Sequence, residues 1–551
     1  MKATKRIFSV FLTCVLAFTM AFAMGLTASA ADYTITINKP AGDIDRTYEA
    51  YQIFRGNLDG NTLSDIEWGT GIDGAAFLTE LKKNSDYASC TDAKTVAEKL
   101  ASFTKNSDEA VAFAKLAGKF LTDVKVTSSA GQITVPAGYY LLKDATAVTD
   151  NALSLNILEV VKDVTVSPKA DHPTVDKKIG TDITTGVAAN EATIGDKVPF
   201  VIASKVPQMQ GYTKYFFVLN DSMTAGLTYN KDVAIKIGAT TLAADAYDVT
   251  YDDTANTMKI VIKNFIQYKS QADADIVVTY SATLNENANL STNKGNKNTV
   301  KLTYSNNPNV DYKGDNEPTS TDPVGVTPEH VTVTYSTQLQ LTKVDGKDKS
   351  KLEGVEFQIT GTSIKTAVSK GHYFKQDAAG TYYQLKDGTF TDTAPAPETE
   401  SKYVSTSVKY AEVTDSTEQT KMQKVTASGT TDANGLITFK GLGAGTYYIT
   451  ELKTLGGYNL LTAPITVEIK ATPGTTSCTW TAKVNGNDAT FDTKENMVKL
   501  TVENNKGSDL PITGGIGTTI FYVIGGLLVC GAVVMAITKK KLSVEDKADQ
   551  N

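Results

Sequence analysis

The chain has 551 residues, a net charge of −7, four cysteines and three histidines. That is length for several domains, and an acidic balance that argues against nucleic-acid binding. His172, His330 and His372 match no metal or catalytic-triad spacing, and with no nucleophile motif or paired carboxylates neither an enzyme, a metal centre nor a cofactor is expected.

Lys2, Lys5 and Arg6 precede an apolar run from Ile7 to about Leu26 that closes in Ala28-Ser29-Ala30-Ala31. This order reads as a secretory signal peptide over 1–30, cut after Ala30 or Ala31, rather than as a retained helix. Cys14 leaves with it, and Cys530 lies in a C-terminal apolar run. Cys90 and Cys478 remain, far apart and expected to stay unpaired.

The text that follows is rich in Thr, Val, Tyr, Gly and Asn, with short alternating runs that predict strands, among them Tyr33 to Ile37, Val355 to Ile359, Ile437 to Phe439 and Leu500 to Val502. The fold class is mainly β, in tandem sandwich domains. Residues 31–170 make a first domain with additional helices, because Ala75 to Lys83 and Ala93 to Leu121 carry apolar residues at three- and four-residue spacing. The polar, proline-containing stretch Val166 to Pro173 ends it. A second domain spans 171–335, since the strand-like Val331 to Tyr335 lies beyond the loop from Asn306 to Pro328. A third spans 336–507, and within it Thr362 to Ser428 reads as an inserted excursion, the kind of loop where recognition often resides.

Period two places polar residues on inward faces. Val175, Lys177 and Ile179 share a face, as do Phe217, Leu219 and Asp221, and Asn298, Val300 and Leu302. The third domain repeats the pattern with Leu339, Leu341 and Lys343, with Tyr447, Ile449 and Glu451, and with Leu500, Val502 and Asn504. Lys178 and Asn505 are the competing residues and face the other way. Ala137-Gly138-Tyr139-Tyr140-Leu141-Leu142-Lys143 echoes the segment from Ala444 to Glu451, with Lys143 placed where the third domain has its glutamate. Lys39 and Asn156 could face one another in the first domain, but with no carboxyl beside them no bond is expected there.

Residues 508–551 open with Leu510-Pro511-Ile512-Thr513-Gly514. An uncharged run from Ile516 to Thr538 follows, long enough to span a bilayer, and then Lys539, Lys540 and Lys541. The pentapeptide and its tail resemble a sortase sorting signal. A sortase would cleave between Thr513 and Gly514 and pass the Thr513 acyl group to an amine, after transient membrane retention by the helix.

Taken with Val164-Thr165-Val166-Ser167-Pro168-Lys169, which is similar to the pilin motif except that Ser167 stands where tyrosine is usual, the chain resembles a SpaA-type backbone pilin of Gram-positive bacteria with Ig-like, CnaB-type domains. The resemblance implies self-formed isopeptide bonds, Lys177 to Asn298 with Asp221 and Lys343 to Asn504 with Glu451, in which a neutral amine attacks the carboxamide while the carboxyl shuttles protons. The segment from Glu451 to Tyr458 looks like the family's glutamate box. The resemblance also implies Lys169 as the intersubunit acceptor, although a plain linker lysine fits the same position. The expected partners are a pilin-class (class C) sortase, identical subunits joined head to tail through Thr513 and Lys169, minor pilins, and peptidoglycan through a housekeeping sortase. The expected place is the cell wall and surface, as a pilus supporting adhesion. The rival reading is a monomeric wall-anchored adhesin or minor pilin whose excursion binds a host receptor.

Overall fold

The computed structural model describes residues 32–39, 45–104, 107–146, 155–167, 173–361, 364–369, 371–416, 418–419, 422 and 428–507. The signal peptide, Lys169, the Leu510 to Gly514 pentapeptide and the apolar tail lie outside the described residues.

In the first domain the strand Asp32–Ile37 sits between Gln132–Pro136 and Val164–Val166, parallel to the latter. Facing it is a sheet of Thr62–Trp68, Tyr48–Asp59, Gly138–Asp144 and Leu155–Val160, with Val126–Thr127 at its side. Three helices, Gly74–Leu81, Ala93–Ala101 and Asp108–Ala117, cover the sheet's other face. Asp92 and Thr95 start the second helix with a reciprocal capping box. Gly138–Asp144 is therefore buried on both sides. Tyr140 and Leu142 pack with Ile35, Ile37 and Val135, while Tyr139 and Leu141 pack with Phe54, Phe77 and Phe113 under the helices.

The second domain is a sandwich. One sheet runs Ala189–Glu191, His330–Tyr335, Asn296–Ser305, Phe217–Met223, Thr257–Ile262, Tyr247–Asp252, with Val324–Val326 also on Asn296–Ser305. The other runs Thr240–Thr241, Ala234–Ile237, Asp275–Leu284, Lys197–Lys205, Asp176–Ile179, with Leu227–Tyr229 on the third of these. The pairing of His330–Tyr335 with Asn296–Ser305 carries this domain past the proline-rich loop, as the alternation at Val331 to Tyr335 predicts. It also means that the strand bearing Asn298 is not the domain's last.

In the third domain the first strand, Thr337–Asp345, pairs in parallel with the last, Met497–Asn504, with Lys343 beside Val502 and Asp345 beside Asn504. Leu436–Leu442 lies on the other side of the first strand and Thr490–Asp492 beyond the last. The facing sheet contains Ser428–Thr430, Glu356–Thr360, Gly445–Lys453, Ile465–Pro473, Cys478–Val484 and Asn487–Asp488. The excursion builds its own small sheets, Thr366–Ser369, His372–Gln376, Tyr410–Glu412 and Tyr383–Gln384, Phe390–Thr391, around Phe374 stacked on Phe390 at 4.0 Å.

The two joints differ in kind. Between the first and second domains, Lys115 and Lys119 both pair with Asp311, and Lys269 with Asp108. Between the second and third, backbone groups interlock: Ala444 N donates to Glu191 at 2.6 Å, Gly443 N to Thr193 Oγ1 at 3.0 Å, and Ile194 N to Gly441 O at 2.9 Å. Gly441 has φ +74°, and a Cβ there would lie 2.1 Å from Ile194 Cδ1, so this approach requires glycine.

Cys90 and Cys478 are free and buried, and burial raises both thiol pKa values, that of Cys478 to about 11. In an ectodomain of residues 31–507, two thiols should therefore react with a disulfide reagent in denaturant and almost none in the native protein. A Cys90–Cys478 peptide in a nonreducing digest would contradict this separation.

Candidate functional site

The second domain gathers Lys177, Asp221 and Asn298 between its sheets. Alternation turns each inward: Lys177 lies between Val175 and Ile179, Asp221 follows Leu219, and Asn298 precedes Val300, all of them buried. The Lys177 and Asp221 side chains are 0% and 1% exposed. Lys177 Nζ contacts both Asp221 Oδ2 and Asn298 Oδ1. The carboxylate also accepts from Tyr229 at 2.8 Å and from Tyr280 at 2.7 Å, and Asn298 Nδ2 donates to the Tyr280 hydroxyl at 3.0 Å. Burial, only partly offset by Asp221, lowers the Lys177 pKa to about 8. A minor fraction of the amine is then neutral near physiological pH, far more than for an exposed lysine, so it can act as a nucleophile.

In the third domain Lys343 and Asn504 come from neighbouring parallel strands of one sheet and Glu451 from the other. The Lys343 and Glu451 side chains are fully buried. Lys343 Nζ contacts Asn504 Oδ1 and lies 3.4 Å from Glu451 Oε1. Asn504 Nδ2 donates to that same Oε1 at 2.7 Å and to Thr454 Oγ1 at 2.7 Å, while the other carboxylate oxygen accepts from Leu461 N at 2.9 Å. Burial lowers the Lys343 pKa as well. Each cluster thus holds an amine against a carboxamide with a carboxyl beside both, where an unpaired charge would be costly. Asn505 is exposed and Lys178 half-buried, as their parity implies.

The first domain corrects the expectation about its carboxyl. Tyr140 OH donates to Pro136 O, four residues back, just as Tyr447 OH donates to Gly443 O. Tyr140 therefore corresponds to Tyr447, and Asp144, not Lys143, to Glu451. Asp144 is buried and bound at 2.5 Å by Arg46, whose side chain is 4% exposed. Lys39 is on the surface, paired with Asp45 at 2.7 Å. A carboxyl is present, but an arginine meets it, and among the described residues no lysine pairs with it. Asp144→Ala would strand the guanidinium in the core, at a cost of about 3–5 kcal/mol. The first domain should then unfold earlier in denaturant while the other two keep their midpoints, as followed by domain-resolved proteolysis.

The sequence reading missed Tyr229, Tyr280, Thr454, Arg46 and Asp144. A signal existed for Tyr280, an inward tyrosine between Val278 and Ala282 whose hydroxyl needs a partner in the core.

Fold and clusters together define a tandem β-sandwich protein with a buried amine, carboxyl and carboxamide in each of two domains. Residues 194–308, which include Asp221, Tyr280 and Asn298, match the family described as Gram-positive pilin backbone subunit 2, Cna-B-like domain. Residues 400–484, which include Glu451, match the SpaA family, a prealbumin-like fold domain. Over 399 residues, 68% of this chain and 70% of the relative, the chain is 26% identical to the trypsin-resistant surface T6 protein of Streptococcus pyogenes serotype M6. The structure of the T6 backbone pilin of that serotype, described as three modular domains decorated with variable loops and extensions, matches with a TM-score of 0.52 at 16% identity, over 87% of this chain and 100% of the other. The full-length major pilin SpaD of Corynebacterium diphtheriae gives 0.44 at 16% identity, over 87% and 98%. Two segments of the chain thus match Gram-positive pilin domain families, and the chain is similar to the T6 protein in sequence and to the T6 backbone pilin in fold.

The lowered pKa of Lys177 sets a pH dependence. Between about 8 and the ordinary 10.5 the folded, unreacted chain holds a neutral amine where the unfolded chain holds a protonated one, so its stability rises with pH across that window. A reaction through the neutral amine should accelerate as pH approaches 8 and level off above it. Chains translated in a cell-free system, collected in denaturant and refolded across a pH series, give this profile from intact mass against time.

Proposed function

We propose that this chain is the structural backbone subunit of a covalent, sortase-assembled pilus, and that its second and third domains each close one lysine–asparagine isopeptide bond. The observation that carries the reading is the contact of a buried, pKa-lowered lysine with a buried asparagine and an acid in both domains whose segments match pilin families. Attack of Nζ on the carboxamide carbon would form an amide and release ammonia, a single self-modification of the chain and not turnover. The sorting pentapeptide Leu510 to Gly514 supports surface attachment, with Thr513 as acyl donor to Lys169 of the next subunit, and a pilin-class sortase as the assembling enzyme. Peptidoglycan attachment by a housekeeping sortase and minor pilins complete the proposed set of partners.

The test is co-expression of the full chain with pilin-class sortases in a Gram-positive host. Wall material should give a ladder that survives boiling in detergent. A single band from every such strain would instead support the wall-anchored adhesin, with the excursion from Thr362 to Ser428 as its binding segment.

A further inference from the structure

The two clusters route their protons differently. In the third domain a single oxygen, Glu451 Oε1, lies 3.4 Å from the attacking Lys343 Nζ and 2.7 Å from the departing Asn504 Nδ2. One carboxyl can therefore take the proton from one nitrogen and give it to the other. Aspartate is a methylene shorter. Among the hydrogen bonds of the described residues none joins Asp221 to Asn298 Nδ2. That nitrogen meets the Tyr280 hydroxyl at 3.0 Å, and the hydroxyl meets Asp221 Oδ2 at 2.7 Å, the same oxygen that touches Lys177 Nζ. Tyr280 is buried, and Tyr229 donates to the other carboxylate oxygen.

We infer that Tyr280 is a catalytic residue of the second domain, a phenol that relays the proton from Asp221 to the leaving nitrogen of Asn298. The inference rests on the isopeptide reading above. Nζ of Lys177 bonds to Cγ of Asn298 and gives one proton to Asp221 Oδ2. As the Cγ–Nδ2 bond breaks, Tyr280 passes its own proton to Nδ2 and takes the one from Asp221. One amide and one ammonia result, and both Asp221 and Tyr280 return to their starting states. Burial and the adjacent Asp221 carboxylate hold the phenol protonated throughout the ordinary pH range, so it donates and accepts without ionising in the resting site. The third domain needs no such residue, and its Thr454 hydroxyl only orients the amide nitrogen.

The test follows both bonds in one chain. The ectodomain, translated into denaturant and refolded, is digested at intervals, and the Lys177–Asn298 and Lys343–Asn504 linked peptides are counted separately. Tyr280→Phe should slow the second-domain bond at least tenfold while the third-domain bond forms at the wild-type rate. Tyr229→Phe, which removes a hydroxyl from the same aspartate, should slow it far less. Ring-fluorinated tyrosine placed at 280 keeps the packing and makes the phenol more acidic, so it should change the second-domain rate and leave the third untouched. Equal second-domain rates in wild type, Tyr280→Phe and the fluorinated chain would overturn the relay. Absence of both linked peptides in the wild type would overturn the isopeptide reading itself, a separate outcome.

Discussion

The ectodomain with Glu451→Ala should weigh one ammonia less than its sequence mass, the wild type two less, and the double variant with Asp221→Ala should have the unmodified mass. Removing the carboxyl leaves no group to carry a proton from Lys343 to the Asn504 nitrogen, so the amine and carboxamide stay in contact but unreacted. Two losses of stability then add. The bond joins residues 161 positions apart, and the chain-entropy treatment used for disulfides gives about 5 kcal/mol for such a closure. Lys343 also remains buried without its charge partner. At roughly 2–4 °C per kcal/mol for a domain of this size, loss of the bond alone should lower the third domain's midpoint by roughly 10–20 °C, and the stranded lysine lowers it further. Calorimetry of both single variants would show which transition moves. Unchanged mass and unchanged melting in Glu451→Ala would remove the proposed bond.

The second large effect concerns assembly. Lys169→Arg keeps the positive charge between the first two domains but presents a guanidinium, which stays protonated and cannot be acylated under these conditions. Co-expressed with the cognate sortase, it should reduce the detergent-resistant ladder to monomer while both internal ammonia losses persist. Head-to-tail growth requires donor and acceptor in every subunit, so the loss should be complete and not graded. Lys162 and Lys177 are the nearest competitors, and Lys177 is buried where no acyl-enzyme can reach it. A ladder that persists in the variant, with Thr513 mapped to another lysine, would refute the acceptor assignment.

Much of this was readable from period-two alternation. In the sandwich domains one face of each strand meets the core, so the parity of Lys177, Asp221, Asn298, Lys343, Glu451 and Asn504 alone placed them inside, and it placed Lys178 and Asn505 outside. Parity failed at Gly138–Asp144, where helices cover the second face. A strand buried on both sides reads as a continuous apolar run without a phase, and a one-residue slip then exchanged Lys143 for Asp144. Tyr280 was missed for a different reason. Its role depends on the distance between an aspartate and an asparagine held by two other strands, which no local pattern encodes. The continuation of the second domain past Asn298 was visible in the Val331 to Tyr335 alternation, yet the place of Asn298 before the last strand emerged only from the pairing.

That last placement bears on how a fibre of such subunits would carry tension. With the proposed bonds in place and subunits joined through Lys169, a pull enters the second domain at its first strand, crosses from Lys177 to Asn298, and leaves past Tyr335. The first domain hangs outside this line, and it is the one held by Arg46 and Asp144 instead of a covalent bond. In the third domain the line crosses directly from Lys343 to Asn504 and the chain between them carries no load. The stretch from Asn298 to Tyr335 is different, because Asn298 lies opposite Thr332 in an antiparallel pair whose two loaded ends are adjacent. Such a pair opens one rung at a time. It stores roughly 120–130 Å of slack at about 3.3–3.6 Å per residue, so each subunit contains a spring set between two covalent clasps.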